Sequence, residues 1–277
     1  MKKIIRALSF VFCVSSGIAF AEITQTSNLT PIEAALKQAG LDTLVIFDVD
    51  DVLITAKDQI LQPSHHKFAK KLEEGLESRH SEEEAQKLWS IIWLARMDEL
   101  VDPQMVPLIK EAQAKGLKVM ALTNAWTGTF GSIPSLEDWR VEELATFGYI
   151  FKDSWNQLQP KIFEKLNSKD PKRFPVFKSG VVFTCNLQKG KILKAFLHYA
   201  NLSPQKIIFI DDKRKHLESV EAFAKEERIP FIGFEYTAVA DKPKAFLNEK
   251  RAKLQFEVLE KEHKWLSDEE ADIRNHL

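Results

Sequence analysis

The feature that most constrains this chain is a pair of unbroken apolar runs, each ended by acid. Leu44-Val45-Ile46-Phe47 runs into Asp48-Val49-Asp50-Asp51, and Ile207-Ile208-Phe209-Ile210 runs into Asp211-Asp212. A strand with one wet face would alternate apolar and polar residues. A continuous run of bulky residues bounded by polar ones suits a strand covered on both faces, as in a parallel sheet. Lys118-Val119-Met120-Ala121-Leu122 is a third such run, ended by Thr123. Helical patterns lie between these strands, so the expected fold class is α/β with a parallel sheet. Functional residues in such folds gather at the carboxyl ends of the strands. That rule selects Asp48, Thr123 and Asp211.

The intervening segments carry their own signals. Pro31 to Gly40 reads as a short helix with an early proline and a terminal glycine. From Ser64 to Gly116 the apolar period is helical. Ser81 and Glu84 form a capping box ahead of Leu88, Trp89, Ile92 and Trp93. Asp102-Pro103 reads as an N-cap followed by an N1 proline. Gly128 to Pro134 is loop, and a helix follows from about Leu136 to Phe147. Lys178-Ser179-Gly180 looks like a hairpin turn into a strand at Val181. Lys191 to Ala200 is helical, and Pro230 to Phe234 reads as a further strand. From Lys242 onward a single long charged helix is expected, with Phe246, Leu254, Val258, Trp265 and Leu266 as its apolar stripe.

Three carboxylates within Asp48–Asp51 raise one another's pKa unless a cation neutralises them. A single Asp after a strand is most often a turn or capping residue. Two acidic clusters at the ends of two buried strands point instead to a shared hard cation with oxygen ligands.

Leu44 to Leu53 resembles the first motif of the haloacid-dehalogenase (HAD) superfamily: four apolar residues, then Asp-x-Asp-x-Val. Val119 to Thr123 is similar to the second motif, Lys189-Gly190 to the third, and Ile207 to Asp212 to the fourth. They stand in the family's order and span roughly residues 44–234. The chain is also similar to a functionally uncharacterised family of secreted bacterial HAD-like proteins. The resemblance implies a Rossmann-like core of residues 22–54 and 117–277, with a second insertion at about 125–184. It also implies a helical cap at 55–116 that closes over the site and selects substrates.

The implied activity is Mg²⁺-dependent phosphomonoester hydrolysis. Asp48 is the implied nucleophile that forms an aspartyl-phosphate. Asp50 is the implied acid and base, worth roughly 10²–10⁴-fold. Thr123 and Lys189 would hold the phosphoryl oxygens. Mg²⁺ would sit on Asp48, the Asp50 carbonyl, Asp211 and Asp212. Lys191 is the alternative to Lys189. Asp51 reads as a supporting or capping residue, and Asn124 as a substrate contact or a helix cap. Lys213, Arg214 and His216 read as solvated helix face. His65 and His66 read as an exposed pair, the alternative being a phosphate contact. Trp89 and Trp93 read as cap core, the alternative being a stacking platform.

Lys2, Lys3 and Arg6, an apolar run from Leu8 to Phe20, and Ala19-Phe20-Ala21 read as an export signal cleaved after Ala21. The run is shorter than the roughly 20 residues that span a bilayer, so no stable insertion is expected after cleavage. The destination implied is periplasmic or secreted. Cys185 is then the only cysteine left, which excludes an intramolecular disulfide, and its apolar setting makes it a small buried hydrophobe. The net charge of −1 gives no nucleic-acid signal. The expected partner is a small phosphorylated substrate or a phosphoprotein. A phosphotransferase and a catalytically silent HAD-fold binding protein are the competing readings.

Overall fold

The computed structural model describes residues 21–166, 170–243 and 245–275. Of the expected export signal, residues 1–20 lie outside them, whereas Ala21, after which cleavage is expected, begins the first strand. In chain order the elements start with β1 (Ala21–Thr26), α1 (Thr30–Lys37), β2 (Thr43–Phe47) and β3 (Ile54–Ala56). Next come α2 (His66–Arg79), α3 (Glu82–Ala95), β4 (Asp98–Leu100), α4 (Met105–Ala114) and β5 (Lys118–Thr123). They are followed by α5 (Leu136–Thr146), β6 (Lys161–Ile162), β7 (Val176–Lys178), β8 (Val181–Phe183) and α6 (Lys189–Ala200). The chain continues through β9 (Lys206–Asp211), α7 (Arg214–Glu226), β10 (Phe231–Tyr236), α8 (Glu249–Glu262) and α9 (Asp268–Asn275).

Among the described residues, eight strands form one sheet in the order β1-β10-β9-β2-β5-β8-β7-β6. The six from β1 to β8 in that order are parallel, and β7 and β6 are antiparallel to their neighbours. The protein is therefore α/β with a mostly parallel central sheet. Each buried run splits by the strand period of two. Val45, Phe47, Val119, Ala121, Ile208 and Ile210 join the apolar layer under α1 and α4. Leu44, Ile46, Met120, Leu122, Ile207 and Phe209 join the opposite layer under α6 and α7. Burial on both faces is why these strands read as unbroken apolar runs.

A third apolar cluster lies apart from the sheet. It joins Ala69 and Leu76 of α2, Ala85, Leu88 and Ile92 of α3, and Ile60 to Ala252, Phe256, Leu259 and Trp265 from the C-terminal region. The helical layer thus draws on α8 as well as on the stretch between β3 and β4. Within the expected cap range, α4 packs instead on the sheet through Met105, Leu108, Ile109 and Ala112. Residues 125–184 also contribute strands β6 to β8 to the main sheet.

Local differences have local causes. The single long C-terminal helix is two helices, because His263 takes a left-handed backbone (φ 54°) that ends α8. Phe246 is fully exposed and belongs to no stripe. Helix α4 starts at Met105 rather than at Pro103, and the Asp102 carboxylate accepts the Gln104 N–H at 2.8 Å. The turn before β8 is as expected: Ser179 (φ 50°) and Gly180 (φ 81°) are both left-handed, the conformation of a tight two-residue hairpin.

Candidate active site

The register of the sheet brings the two acidic clusters together. Phe47 pairs with Ile210, so Asp48 emerges level with Asp211. The Asp48 N–H continues the ladder to the Ile210 carbonyl at 2.8 Å. Lys189 opens α6 and is fully buried. Its Nζ lies 2.8 Å from Asp48 Oδ1 and 2.6 Å from Asp211 Oδ2. Lys191, the alternative, is exposed on the same helix. Gly190 explains why α6 can start there: a Cβ at this position would sit 2.1 Å from the Ser219 carbonyl oxygen of α7.

The carboxylates are unevenly supplied. Asp48 Oδ1 accepts from Lys189 and from the Val49 N–H at 2.8 Å. Its Oδ2 has no protein partner among the described residues. Burial and the neighbouring Asp211 push the Asp48 carboxyl well above the usual range, against the pull of Lys189. Asp211 moves the other way. Burial opposes its charge, but Lys189 and His216 hold it below the ordinary value. Asp211 Oδ1 accepts the Lys213 N–H at 2.8 Å and lies 3.0 Å from His216 Nδ1. An ionised carboxylate only accepts, so the imidazole donates from Nδ1. Burial raises the Asp212 carboxyl. Its Oδ2 lies 3.3 Å from Lys213 Nζ, and its Oδ1 is buried with no hydrogen-bond partner.

A cleft of about 470 Å³ opens beside these groups, with Asp50, Asp51, Arg96, Asn124, Arg140 and Lys213 in its lining. Asp50 Oδ1 lies 3.3 Å from Arg140 Nη2 and 4.0 Å from Arg96 Nη2. Burial raises the Asp50 carboxyl, but the two arginines outweigh it and keep the group below its ordinary value. Asp51 has a left-handed backbone (φ 63°) and accepts the Thr55 hydroxyl at 2.8 Å, a supporting turn role. Burial raises its carboxyl to about 6. Thr123 is buried at the same strand-end edge, but its hydroxyl accepts from the Ala125 N–H at 3.3 Å, and no hydrogen bond joins it to Asp48. Asn124 accepts the Thr184 hydroxyl at 2.6 Å and donates to Asn186 at 3.0 Å, tying two strand-end loops together. His65 and His66, read as an exposed pair with a phosphate contact as the alternative, do not line the cleft. Cys185 is buried as expected, and its thiol donates to the Phe174 carbonyl at 3.1 Å.

The donor set suits a hard cation. Ligand atoms of Asp48, Asp211 and His216 lie within 4.8 Å of one another. Asp211 is already occupied by Lys189, Lys213 and His216, so the oxygens with capacity to spare are Asp48 Oδ2 and the orphaned Asp212 Oδ1. A buried carboxylate oxygen without a partner is costly, and a cation would satisfy it. The Asp50 side chain turns to the arginines, which leaves only its carbonyl for such a role.

Four groups escaped the sequence reading. His216 is buried rather than solvated, and it sits on the apolar stripe Leu217, Val220, Phe223 and Ala224 of α7. That stripe was the available signal. Lys213 is drawn to Asp212 directly after the strand. Arg96 follows α3 and Arg140 lies within α5. Nothing local marks either arginine, because only the tertiary fold brings them to Asp50.

The match to known sequences spans most of the chain. The family DUF2608, described as a protein of unknown function, matches residues 25–272. An uncharacterised protein of Rickettsia prowazekii is 25% identical over 281 residues, covering 98% of each chain. A second from that organism is 30% identical over 141 residues, covering 50% of this chain and 47% of its own length. A Chlamydia pneumoniae protein named "Putative outer membrane protein" is 26% identical, over 87% of this chain and 86% of its own. With nearly its whole length matched, the chain belongs to the DUF2608 family.

Proposed function

We propose that this protein is an exported, Mg²⁺-dependent phosphomonoester hydrolase of the HAD type, with Asp48 as nucleophile. The observation that carries the reading is the buried Asp48–Lys189–Asp211 array at the ends of β2 and β9. A fully buried lysine bridging two carboxylates needs excellent geometry to offset its desolvation. A strand-end site that holds a nucleophile is one use that accounts for it.

In this reading Asp48 Oδ2 attacks phosphorus and the bond to the ester oxygen breaks. Lys189 stands beside the nucleophile, where its charge offsets that of the transferring group. Asp50 gives its proton to the leaving oxygen and then takes one from the water that cleaves the aspartyl-phosphate. The two arginines favour ionised Asp50, which suits the second step. An incoming phosphate that competes for Arg140 would raise the proton affinity of Asp50 for the first. Mg²⁺, held by Asp48 and Asp212 with the Asp50 carbonyl, would supply charge neutralisation at the phosphoryl group. It would also favour the ionised form that burial and Asp211 deny Asp48. The N-terminal pattern and the name of the Chlamydia pneumoniae relative, "Putative outer membrane protein", support export.

The test is hydrolysis of an aryl phosphate by the chain from Glu22, with Mg²⁺, with a chelator, and as Asp48→Asn. Turnover that needs Mg²⁺ and is lost in Asp48→Asn is expected, with Asp50→Asn lowering it by about 10²–10⁴-fold. Turnover indifferent to the chelator or to Asp48→Asn would overturn the mechanism. Binding of a phosphate analogue without any turnover would favour the silent binding protein.

A further inference from the structure

A second cavity, of about 630 Å³, adjoins the cleft. Glu73 and Glu77 line it from α2, Trp89 and Trp93 from α3, and Trp126 and Phe130 from the loop after β5. Trp93 and Trp126 line the catalytic cleft as well, so the two spaces meet at these rings. The helix period builds the walls: Glu73 and Glu77 are one turn apart, as are Trp89 and Trp93.

The chemistry of the walls is lopsided. Trp93 stacks on Phe130 at 4.4 Å, and Trp126 packs against Phe130 at 5.7 Å. Trp126 is 40% exposed, unusual for so large an apolar ring. Both Trp126 and Phe130 already carry a cation on one side, the Arg173 guanidinium at 5.3 and 5.5 Å. Glu73 and Glu77, in the same lining, form no ion pair or hydrogen bond among the described residues. Their neighbour Glu74, by contrast, is paired with Lys70. Burial lifts the Glu73 carboxyl above its ordinary value, against the weaker pull of His66 and Lys70. Among the described residues no three metal-ligating side chains converge at this cavity, and an anion would meet the carboxylates of Glu73, Glu77 and Glu82. A weakly hydrated organic cation gains from both the rings and the acids.

We propose that this cavity binds an organic ammonium group, and that the natural substrate is a small phosphomonoester whose alcohol carries an amine or quaternary ammonium. The phosphate half rests on the function proposed above, whereas the cation half does not. Three of the six tryptophans line the cavity, so intrinsic fluorescence reports its occupancy. The experiment titrates the chain from Glu22, in the wild-type and Asp48→Asn forms, with choline and with its uncharged isostere 3,3-dimethylbutanol. Saturable choline binding at least ~10-fold tighter than that of the isostere is expected in both forms. Glu73→Gln/Glu77→Gln, which keeps every tryptophan, should remove that preference, with circular dichroism confirming the fold. Equal binding of the two ligands, no saturation by ~50 mM choline, or a preference that survives the double substitution would overturn the proposal. Choline binding without hydrolysis of any ester would sink the phosphatase reading alone. Aryl phosphate turnover without choline preference would sink this one alone.

Discussion

Lys189 decides the charge balance of the site. Its ammonium is the only cation within salt-bridge distance of the Asp48 carboxylate among the described residues, and it also holds Asp211. Removing one partner of a buried charged array leaves the others uncompensated. Lys189→Met should therefore lower stability by ~3–5 kcal/mol at neutral pH, read from urea denaturation. Asp48 already resists ionisation, so without Lys189 its carboxyl takes up a proton more readily still. A raised carboxyl pKa makes stability fall as pH rises through it. The deficit of Lys189→Met should thus be largest near neutrality and shrink as the solution is acidified. Lys191→Met, on the exposed face, should leave the denaturation midpoint unchanged. A deficit equal in the two variants would remove Lys189 from its place at the centre of the site. At this scale the sequence was informative where chemistry is contiguous. Asp48, Asp211 and Lys189 each adjoin a strand end or a helix start, and each lies in the array. Thr123 lies at the same edge but bonds within its own turn. Arg96 and Arg140 were invisible, because a guanidinium that reaches Asp50 from another element leaves no mark on its own neighbours.

Elements were legible where the local pattern and tertiary packing agree. The Ser81–Glu84 capping box forms as its spacing requires, with the Ser81 N–H donating to Glu84 at 3.0 Å and the Glu84 N–H to Ser81 at 3.3 Å. A second reciprocal box, Ser267 with Glu270, starts α9 and was hidden inside an apparently continuous charged helix. Strand β1 gave no signal, since it is a largely exposed edge strand of mixed polarity. The meeting of α6 and α7 depends on one missing side chain. Gly190 is helical, so alanine costs nothing in backbone conformation, yet its methyl would collide with the Ser219 backbone. Gly190→Ala should lower stability by ~1–3 kcal/mol through overpacking, visible as a lower thermal midpoint. A stabilised variant would show that the helices separate easily. On the surface, the Arg79 side chain and His80 hold Glu260 at about 2, below its ordinary 4.5. A depressed carboxyl contributes stability that is present above 4.5 and lost as pH falls towards 2. Glu260→Gln should thus lose less of its thermal midpoint than wild type between about pH 6 and about pH 3. Parallel curves would mean that the pair is screened to insignificance.

The molecule as a whole is a sheet with two apolar layers and a separate helical layer that carries one wall of the cleft. Arg96 and Trp93 belong to that wall, so its packing bears on Asp50. The sequence marked residues 55–116 as the source of the layer, but α4 within that range packs on the sheet, and nothing signalled that the C-terminus completes the layer. Asp58 is the fastening. Its carboxylate is buried and accepts the Trp265 indole N–H at 2.8 Å and the Asp268 N–H at 3.0 Å. Asp58→Ala would leave both donors without their acceptor, at ~1–3 kcal/mol for each that stays buried. Contiguous packed units open cooperatively and separately where few contacts join them. Amide exchange in Asp58→Ala should therefore quicken across α2, α3 and α8 while β2, β5 and β9 keep their protection. A uniform loss that includes those three strands would mean that layer and sheet unfold as one unit. The wall bearing Arg96 could then not move independently of the carboxylates beneath it.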